Sequence, residues 1–280
     1  MTMRVLYVID SLIGGGAEHS LAHMAPGYAE QDLELHVAFL KSRWDVADAL
    51  RDAGAVLHPT ALDQSRPRQL RALVRLIREL RPDVVHTTLW EADVLGRTAA
   101  ALTRTPVIGT FATSSYSADR VTDSSVSRIK LRFAKLMDLA TARFVVRFHA
   151  VSEQVADDMC ERMHVRRDRI VVVPRARRRD LLGEPSNERR TAARQELDID
   201  ATTSVVLAIA RQEHVKGLDV LVSATCTLTS RLPGLLVLVA GRPGRATDDL
   251  ERQIADTGLG ATVRFLGART DVAELIVAAD

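Results

Sequence analysis

The chain has 280 residues, of which 46% are hydrophobic and 26% charged, the composition of a folded globular protein. A net charge of +2 supplies no field to attract nucleic acid, and 4% aromatic residues do not favour base stacking, so we expect no nucleic-acid partner. No apolar run approaches the roughly 20 residues of a membrane span. Two distant cysteines, Cys160 and Cys226, fit no metal or disulfide spacing and suit a reduced cytoplasmic location.

Three adjacent glycines, residues 14–16, follow the first predicted strand and precede a helical stretch. Such a turn exposes backbone N–H groups at the positive end of a helix, where phosphate binds readily. The dinucleotide fingerprint fails here, because His19 occupies its third glycine position and no acidic residue follows the second strand. A tight turn that needs positive φ is the alternative explanation for one or two of these glycines.

Short apolar runs that predict strands alternate with helical patterns along almost the whole chain. Several are apolar throughout, as in parallel strands that are covered on both faces. The alternation predicts βαβ units and doubly wound α/β sheets. One helical stripe consists of Leu70, Leu73, Val74, Ile77 and Leu80. The predicted strands are RVLYVI, LELHVAFL, DVVHTT, PVIGTF, FVVRFHAVS, RIVVVP, SVVLAIA, LLVLVA and TVRFL.

A polar, arginine-rich stretch after Pro174 predicts a connection between two domains. We expect a first Rossmann-like domain, a linker and a second Rossmann-like domain at residues 1–174, 175–187 and 188–280. About 90 residues remain after the linker, so we expect the second domain to be incomplete. Four linker arginines form either a solvated basic segment, which we favour, or a contact for an anionic acceptor or lipid: Arg175, Arg177, Arg178 and Arg179.

Two cations, Arg211 and Lys216, follow the predicted strand SVVLAIA. The carboxyl end of a strand is where open α/β sheets bind ligands. Arginine offers a bidentate fork and lysine a mobile point charge, and together they suit a diphosphate. The alternative is a solvated loop with incidental charges.

Five segments, in chain order, carry a resemblance to a known family. They are IGGGAEHSLAHMA, RPDVVHTTLWEADVLGRTAA, FHAVSEQVADDM, AIARQEHVKGLDVLVSA and RFLGARTDVAELIVAAD. Together they resemble the glycosyltransferase group 1 family, the family 4 retaining enzymes that use nucleotide sugars. The resemblance implies a GT-B-like α/β fold, in which two Rossmann-like, doubly wound domains face each other across a cleft, with the second domain truncated here. It implies that the N-terminal domain is the acceptor side and that the C-terminal domain binds the nucleotide sugar.

This resemblance implies that a sugar is transferred from a UDP- or GDP-sugar to an acceptor hydroxyl, with retention and without metal. The nucleotide sugar is a co-substrate, and no cofactor is expected. The acceptor would be a sugar, a lipid-linked molecule or a small molecule. The alternatives are a catalytically inactive, truncated binding protein and, less favoured, an NADP-binding oxidoreductase.

The resemblance also assigns roles to residues. Arg211 and Lys216 would bind the donor diphosphate and stabilise the leaving group, while the Gly15–Gly16 backbone would approach the same diphosphate from across the cleft. Asp271 would contact the base or cap the following helix, and we favour the cap. The nucleobase side would be formed by Leu266, Gly267 and Arg269.

Three departures from the family pattern count against full activity. The family's acidic E-x7-E motif follows the position at which this chain ends, Asp280, so we expect an impaired or inactive chain. The family's histidine near the reacting sugar is replaced at or close to Ala112, and His86 ends a different strand, where a structural role is favoured. The usual hinge sequence is replaced by VPRARRRD.

Three local patterns have two interpretations each. Ser152 suits a helix N-cap as well as a functional turn. The motif at residues 198–200 spells D-x-D, but it lies between a helix and a strand, so we interpret it as a turn and not as a metal site. Basic residues Arg128, Lys130, Arg132 and Lys135 flank apolar residues at 129–137, either as a packed helix with snorkelling cations, which we favour, or as a surface on the inner membrane leaflet.

Overall fold

The computed structural model describes residues 2–114, 128–175 and 182–280. The chain divides into two compact units, Met1–Ala176 and Arg177–Asp280. Both contain a parallel β-sheet with helices, which confirms the predicted α/β class. The linker arginines Arg177, Arg178 and Arg179 lie outside the described residues.

The first unit contains a seven-stranded parallel sheet in the order β3-β2-β1-β4-β5-β6-β7. Its central strands are apolar and buried, because helices cover both faces. From β1 the strands follow in chain order towards one edge, and from β4 towards the other edge. This switch point creates a crevice at the carboxyl ends of β1 and β4. The strands are β1 Met3–Ile9, β2 Leu33–Phe39, β3 Val56–Pro59, β4 Val84–Thr88, β5 Val107–Phe111, β6 Arg147–Ala150 and β7 Ile170–Val172.

Two apolar cores lie on the two faces of this sheet. The predicted stripe of α3 is confirmed, since Leu73 and Ile77 are buried and the other three residues pack against the same core. The described helices of this unit are α1 Gly16–Glu30, α2 Ala47–Asp52, α3 Arg66–Leu80, α4 Trp90–Thr103, α5 Arg128–Ala142 and α6 Glu153–Met163.

The second unit has a three-stranded parallel sheet in the order β10-β9-β8, with an apolar core on each face. The central strand β9 is buried along its whole length. Its strands are β8 Val205–Ile209, β9 Leu236–Ala240 and β10 Val263–Gly267. Its helices are α7 Asn187–Glu196, α8 Leu218–Leu228, α9 Thr247–Asp256 and α10 Val272–Ala278.

Helix α5 differs from the packed helix that the sequence favoured. Leu131 packs against the core as expected. Ile129, Phe133 and Leu136, however, expose 80%, 57% and 61% of their surface. The favoured packed helix is therefore found only in part, because the helix packs on the core with one face and leaves these three apolar residues exposed.

The face of α5 that packs on the core contacts a buried arginine of α4. Arg97 of α4 is fully buried and contacts Asp93, one turn earlier, at 3.0 Å and Asp138 of α5 at 2.5 Å. Burial raises the pKa of Asp93 to about 7, although Arg97 acts in the opposite direction. Gly109 leaves the space for this guanidinium, since a Cβ there would lie 3.1 Å from Nη2 of Arg97. The arginine thus joins two helices and a strand.

Candidate functional site

The glycine loop connects β1 to α1 in the first unit. None of its three glycines adopts positive φ, so the alternative explanation, a tight turn that needs this conformation, is wrong. Gly15 is the N-cap in an extended conformation, and a Cβ there would lie 2.5 Å from Oε2 of Glu18. A Cβ on Gly16 would meet no atom closer than Nη1 of Arg175, at 3.9 Å. Close packing therefore explains Gly15, whereas no described residue crowds Gly16.

This loop is held in place by the loop after β2. The Gly14 N–H donates to Oδ2 of Asp45 at 3.1 Å, and the Leu12 N–H donates to the Arg43 carbonyl at 3.0 Å. Glu18 is buried in the first turn of α1, so a negative group already lies at this helix end. The N–H groups of that turn, which begins at Gly16, receive no hydrogen bond acceptor from the carbonyl ladder of the helix.

A charged cluster that sequence reasoning missed lies at the same edge of the first sheet. Lys41, after β2, contacts Glu91 of α4 at 2.6 Å, and Arg66 of α3 contacts the same carboxylate at 3.3 Å. Asp10, after β1, accepts a hydrogen bond from the Ala92 N–H at 2.7 Å. Burial raises the pKa of Asp10 to about 6. The available signal was position, because each residue lies within two positions of the end of a strand or the start of a helix.

Backbone strain marks the start of α4. Leu89, its N-cap, has φ 77° and ψ 156°, a conformation that is almost restricted to glycine. The residue before it, Thr88, is fully buried and shares a hydrogen bond of 2.6 Å with the Tyr7 hydroxyl. The strain therefore lies at the carboxyl edge of the sheet, where α/β proteins bind ligands.

Both side-chain candidates of the first unit, His86 and Ser152, make structural contacts. Nε2 of His86 lies 2.7 Å from the Thr110 hydroxyl, and its ring lies 4.6 Å from that of Tyr7. Burial lowers the pKa of His86 to about 3, so the ring is neutral near pH 7. Ser152 accepts a hydrogen bond from the Val155 N–H at 3.2 Å and caps α6.

In the second unit, Arg211 and Lys216 both lie in the loop between β8 and α8. The Arg211 side chain is 63% exposed, and its nearest carboxylate, on Glu213, is 3.8 Å away. Lys216 is exposed and ends a short 3-10 turn, and Gly217 follows it at φ 63°. Within the described residues, Lys216 has no carboxylate partner. Both cations are therefore accessible at the carboxyl edge of β8.

A buried glutamine that sequence reasoning missed supports this loop. Gln212 is 2% exposed, and its Oε1 accepts a hydrogen bond from Thr247 at 2.8 Å. Its carbonyl accepts from the Ala246 N–H at 3.0 Å. These bonds join the loop after β8 to the loop after β9, so the backbone beside Arg211 is fixed.

Two glycines let these loops approach each other. A Cβ on Gly241 would lie 1.9 Å from the Ala210 carbonyl oxygen, and one on Gly244 would lie 2.4 Å from the Gln212 carbonyl oxygen. The Gly241 N–H also donates to the Gly267 carbonyl at 2.7 Å. The ends of all three described strands of this unit therefore meet beside Arg211.

The three residues predicted on the nucleobase side have different environments. Gly267 ends β10 at φ 69° and contacts Gly241 as described. Leu266 packs against the core. Arg269 binds Asp271, with its Nε 2.7 Å from Oδ1, and this pairing lowers the pKa of Asp271. Asp271 is the N-cap of α10, as favoured, but it makes no side-chain cap bond, because Arg269 takes its carboxylate.

The residues of the predicted D-x-D pattern form a turn. Asp198 has φ 54°, and Asp200 accepts hydrogen bonds from the N–H and hydroxyl of Thr202 at 3.0 and 2.8 Å. Among the described residues, no group of three or more His, Cys, Asp or Glu side chains is arranged to hold a metal ion. Within the same ranges, no helix is both long and apolar enough to cross a bilayer.

Each unit is thus a Rossmann-like α/β domain, a class that binds ligands at the carboxyl edge of its sheet. Residues 14–178 match the family model Glycosyltransferase Family 4, and residues 189–280 match Glycosyl transferases group 1. The first match alone spans more than half of the chain. The chain therefore belongs to the family 4, group 1 glycosyltransferases, as its motifs predicted.

Curated relatives agree with this assignment. The chain is 31% identical over 198 residues to a D-inositol 3-phosphate glycosyltransferase of Corynebacterium glutamicum, a match that covers 67% of this chain and 46% of that protein. The protein of the same name in Corynebacterium efficiens is 32% identical over 200 residues, with 67% and 45% covered. The match thus spans less than half the length of these relatives.

Solved structures show the same fold. HepE of Anabaena, in complex with UDP-glucose, has a TM-score of 0.82 at 22% identity, over 99% of this chain and 72% of that one. WaaG, a glycosyltransferase involved in lipopolysaccharide biosynthesis, has a TM-score of 0.74 at 18% identity, over 99% and 73% of the chains. These similarities confirm the predicted GT-B-like fold class.

Proposed function

We propose that this chain transfers a sugar, with retention and without metal, from a UDP- or GDP-sugar to an acceptor hydroxyl. The observation that carries the proposal is the pair of accessible cations, Arg211 and Lys216, on a rigid loop at the carboxyl edge of β8. As the bond to the sugar breaks, negative charge develops on the diphosphate, and these cations stabilise it. Membership of the glycosyltransferase family and the UDP-glucose complex of HepE support this assignment.

The acceptor would bind to the first unit. Its carboxyl edge carries the charged cluster of Lys41, Arg66 and Glu91 and the strained Leu89. A sugar, a lipid-linked molecule or a small polyol would bring the attacking hydroxyl, and D-inositol 3-phosphate is the first acceptor to try because the curated relatives are named for it. We place the reaction in the cytoplasm, with the protein in peripheral contact with the inner face of the membrane.

Calorimetry with UDP, GDP and UDP-glucose tests the donor site. Arg211→Ala and Lys216→Ala should each weaken nucleotide binding roughly ten- to a hundredfold, as expected for a lost charged hydrogen bond. Arg252→Ala is the matched control, because this arginine is 68% exposed on α9 and pairs with Asp249. Equal affinity in all four proteins would refute the assignment of Arg211 and Lys216.

Nucleotide binding and a transfer assay together distinguish the alternatives. A catalytically inactive binding protein would bind the nucleotide sugar but neither hydrolyse nor transfer it in an assay with acceptors. An oxidoreductase would bind NADP(H) in preference to UDP. Retention would be read from the anomeric configuration of the product by NMR.

A further inference from the structure

Two histidines follow the glycine loop on helix α1. His19 and His23 are four residues apart, so they lie one turn apart on the same side of the helix. His19 is exposed and His23 is half-buried. Their ring centroids are 6.4 Å apart, and the ring planes are inclined by 26° to each other. Both imidazoles can therefore be reached from one point beside the helix.

This spacing fits a transition-metal ion. Two histidines at positions i and i+4 on one helix face are the arrangement that binds zinc in helical motifs. Imidazole nitrogen is a good ligand for Zn²⁺, Ni²⁺ and Cu²⁺, whereas Mg²⁺ and Ca²⁺ prefer oxygen. An ion about 2.0–2.1 Å from each nitrogen requires the two rings to turn slightly towards each other. The helix backbone does not have to move.

The glycine loop places a carboxylate beside His19. Nε2 of His19 and Oδ2 of Asp45 lie 3.2 Å and 3.6 Å from the position that a Cβ on Gly14 would occupy. Asp45 is held there, since its Oδ2 accepts a hydrogen bond from the Gly14 N–H at 3.1 Å. The negative charge of Asp45 favours a cation at the neighbouring imidazole.

A second histidine pair in this unit is less suitable. Nδ1 of His36 lies 2.9 Å from Nε2 of His58, and Nε2 of His36 lies 2.9 Å from Oε1 of Glu34. His36 is 5% exposed. Both nitrogens of that ring have partners on the sheet, so an ion would have to break these contacts.

We propose that His19 and His23 form a binding site for a divalent transition-metal ion on α1, beside the glycine loop. The two imidazoles supply two ligands and water fills the remaining positions, so the ion binds reversibly. Ligation ties His19, which lies beside Gly14, to the second turn of the helix and so steadies the loop. This inference goes beyond the proposed function, because the proposed sugar transfer uses no metal.

Titration with nickel tests the site. The full chain, purified without a polyhistidine tag, is titrated with NiCl₂ in a buffer that does not bind metals, and the heat of binding is measured. Ni²⁺ is the main probe because thiolates favour zinc and Cu(I), and Cys226 is exposed. We expect one Ni²⁺ per chain, tighter binding of Ni²⁺ than of Co²⁺, and no binding of Mg²⁺.

Single substitutions remove one ligand at a time. His19→Gln and His23→Gln should each weaken Ni²⁺ binding at least about tenfold, because one imidazole of the pair is lost. His214→Gln is the matched control, since this histidine is 49% exposed in the second unit and lies 3.8 Å from a carboxylate, on Asp249. The control should bind Ni²⁺ like the wild type.

A shifted variant tests the spacing of the histidines and not their number. His23→Gln with Met24→His keeps two histidines on α1 but places them five residues apart, on different faces of the helix. Met24 is 40% exposed, so the fold should tolerate the change. This variant should bind Ni²⁺ as weakly as His23→Gln, and wild-type affinity would contradict the proposed geometry. Thermal unfolding gives a second readout, because Ni²⁺ should raise the midpoint of the wild type and not that of the shifted variant.

Three further results would overturn the proposal. The first is the absence of Ni²⁺ binding to the wild type, and the second is equal affinity in the wild type and His23→Gln. The third is loss of the bound Ni²⁺ in His58→Gln alone, which would assign the ion to the pair with His36. Loss of UDP binding in the donor-site experiment would leave the Ni²⁺ titration unchanged, so the two proposals fail independently.

Discussion

Arg97 and Asp138 join α4 to α5 through an ion pair of 2.5 Å, with 0% and 8% of their side chains exposed. Asp93 contacts the same guanidinium at 3.0 Å, so one buried cation faces two carboxyl groups. Removing a single partner from such a group leaves an uncompensated buried charge, which costs more than the intact arrangement gains. The pair therefore determines the orientation of α5 and, through it, which apolar residues of that helix are exposed.

Arg97→Met should lower the free energy of unfolding by about 3–5 kcal/mol, because two carboxyl groups lose their buried cation. Urea denaturation at neutral pH measures this change. Arg166→Met is the control, since this arginine is 79% exposed and its pair with Asp168 contributes about 0–1 kcal/mol. Equal stability of the two variants would contradict the role of Arg97.

The buried His86 should make stability depend on pH. Its folded pKa of about 3 lies below its ordinary value of 6.5, so protons bind preferentially to the unfolded chain. The contribution of His86 is fully present above about pH 6.5 and is lost as the pH falls towards 3. In His86→Gln this contribution is absent, so urea midpoints should fall less steeply on acidification than in the wild type. A parallel decline in both proteins would show that His86 is not responsible.

The neighbouring glycines of the first loop should respond differently to a methyl group. Gly15→Ala places a Cβ 2.5 Å from Oε2 of Glu18, so that side chain must shift, and together with the lost N-cap preference this should cost about 1 kcal/mol. Gly16→Ala meets no close atom and should keep or raise stability, by about 0.4–1 kcal/mol. Thermal unfolding measures both effects.

UDP binding then tests the predicted contact of this loop with the donor diphosphate. If that contact exists, Gly16→Ala should weaken UDP binding while the protein stays stable. Unchanged UDP affinity in a stable Gly16→Ala protein would refute this contact and leave Arg211 and Lys216 as the donor-binding candidates.

A third glycine position tests the loop that carries Arg211. Gly241→Ala would bring a Cβ within 1.9 Å of the Ala210 carbonyl oxygen, so backbone must move, and we expect a loss of about 3 kcal/mol with weaker UDP binding. Gly260→Ala is the control, because nothing lies within 4 Å of its added Cβ. Stability and UDP affinity close to the wild type in Gly241→Ala would contradict the proposed rigidity of the loop.

Much of the fold followed from local patterns, and the exceptions have identifiable causes. The apolar runs predicted nine of the ten described strands, because buried parallel strands are continuously apolar. The strand that was missed, β3, reads VLHP and is largely exposed at the sheet edge, so it carries no apolar run. Asp271 is the N-cap of α10 as predicted, but its carboxylate makes no cap bond because Arg269, two residues away, binds it.

The sequence by itself determined the alternation of strands and helices, the family and the candidate cations Arg211 and Lys216, since these depend on residue type and spacing along the chain. Tertiary structure decided which groups meet. Gln212 and Gly241 support the donor loop through contacts between strand ends, and Arg97 selects the buried face of α5. The apolar and basic residues of α5 are readable in the sequence, but their exposure depends on a charge pair whose partners are 41 residues apart. Packing between distant segments determines that exposure, and no local pattern encodes it.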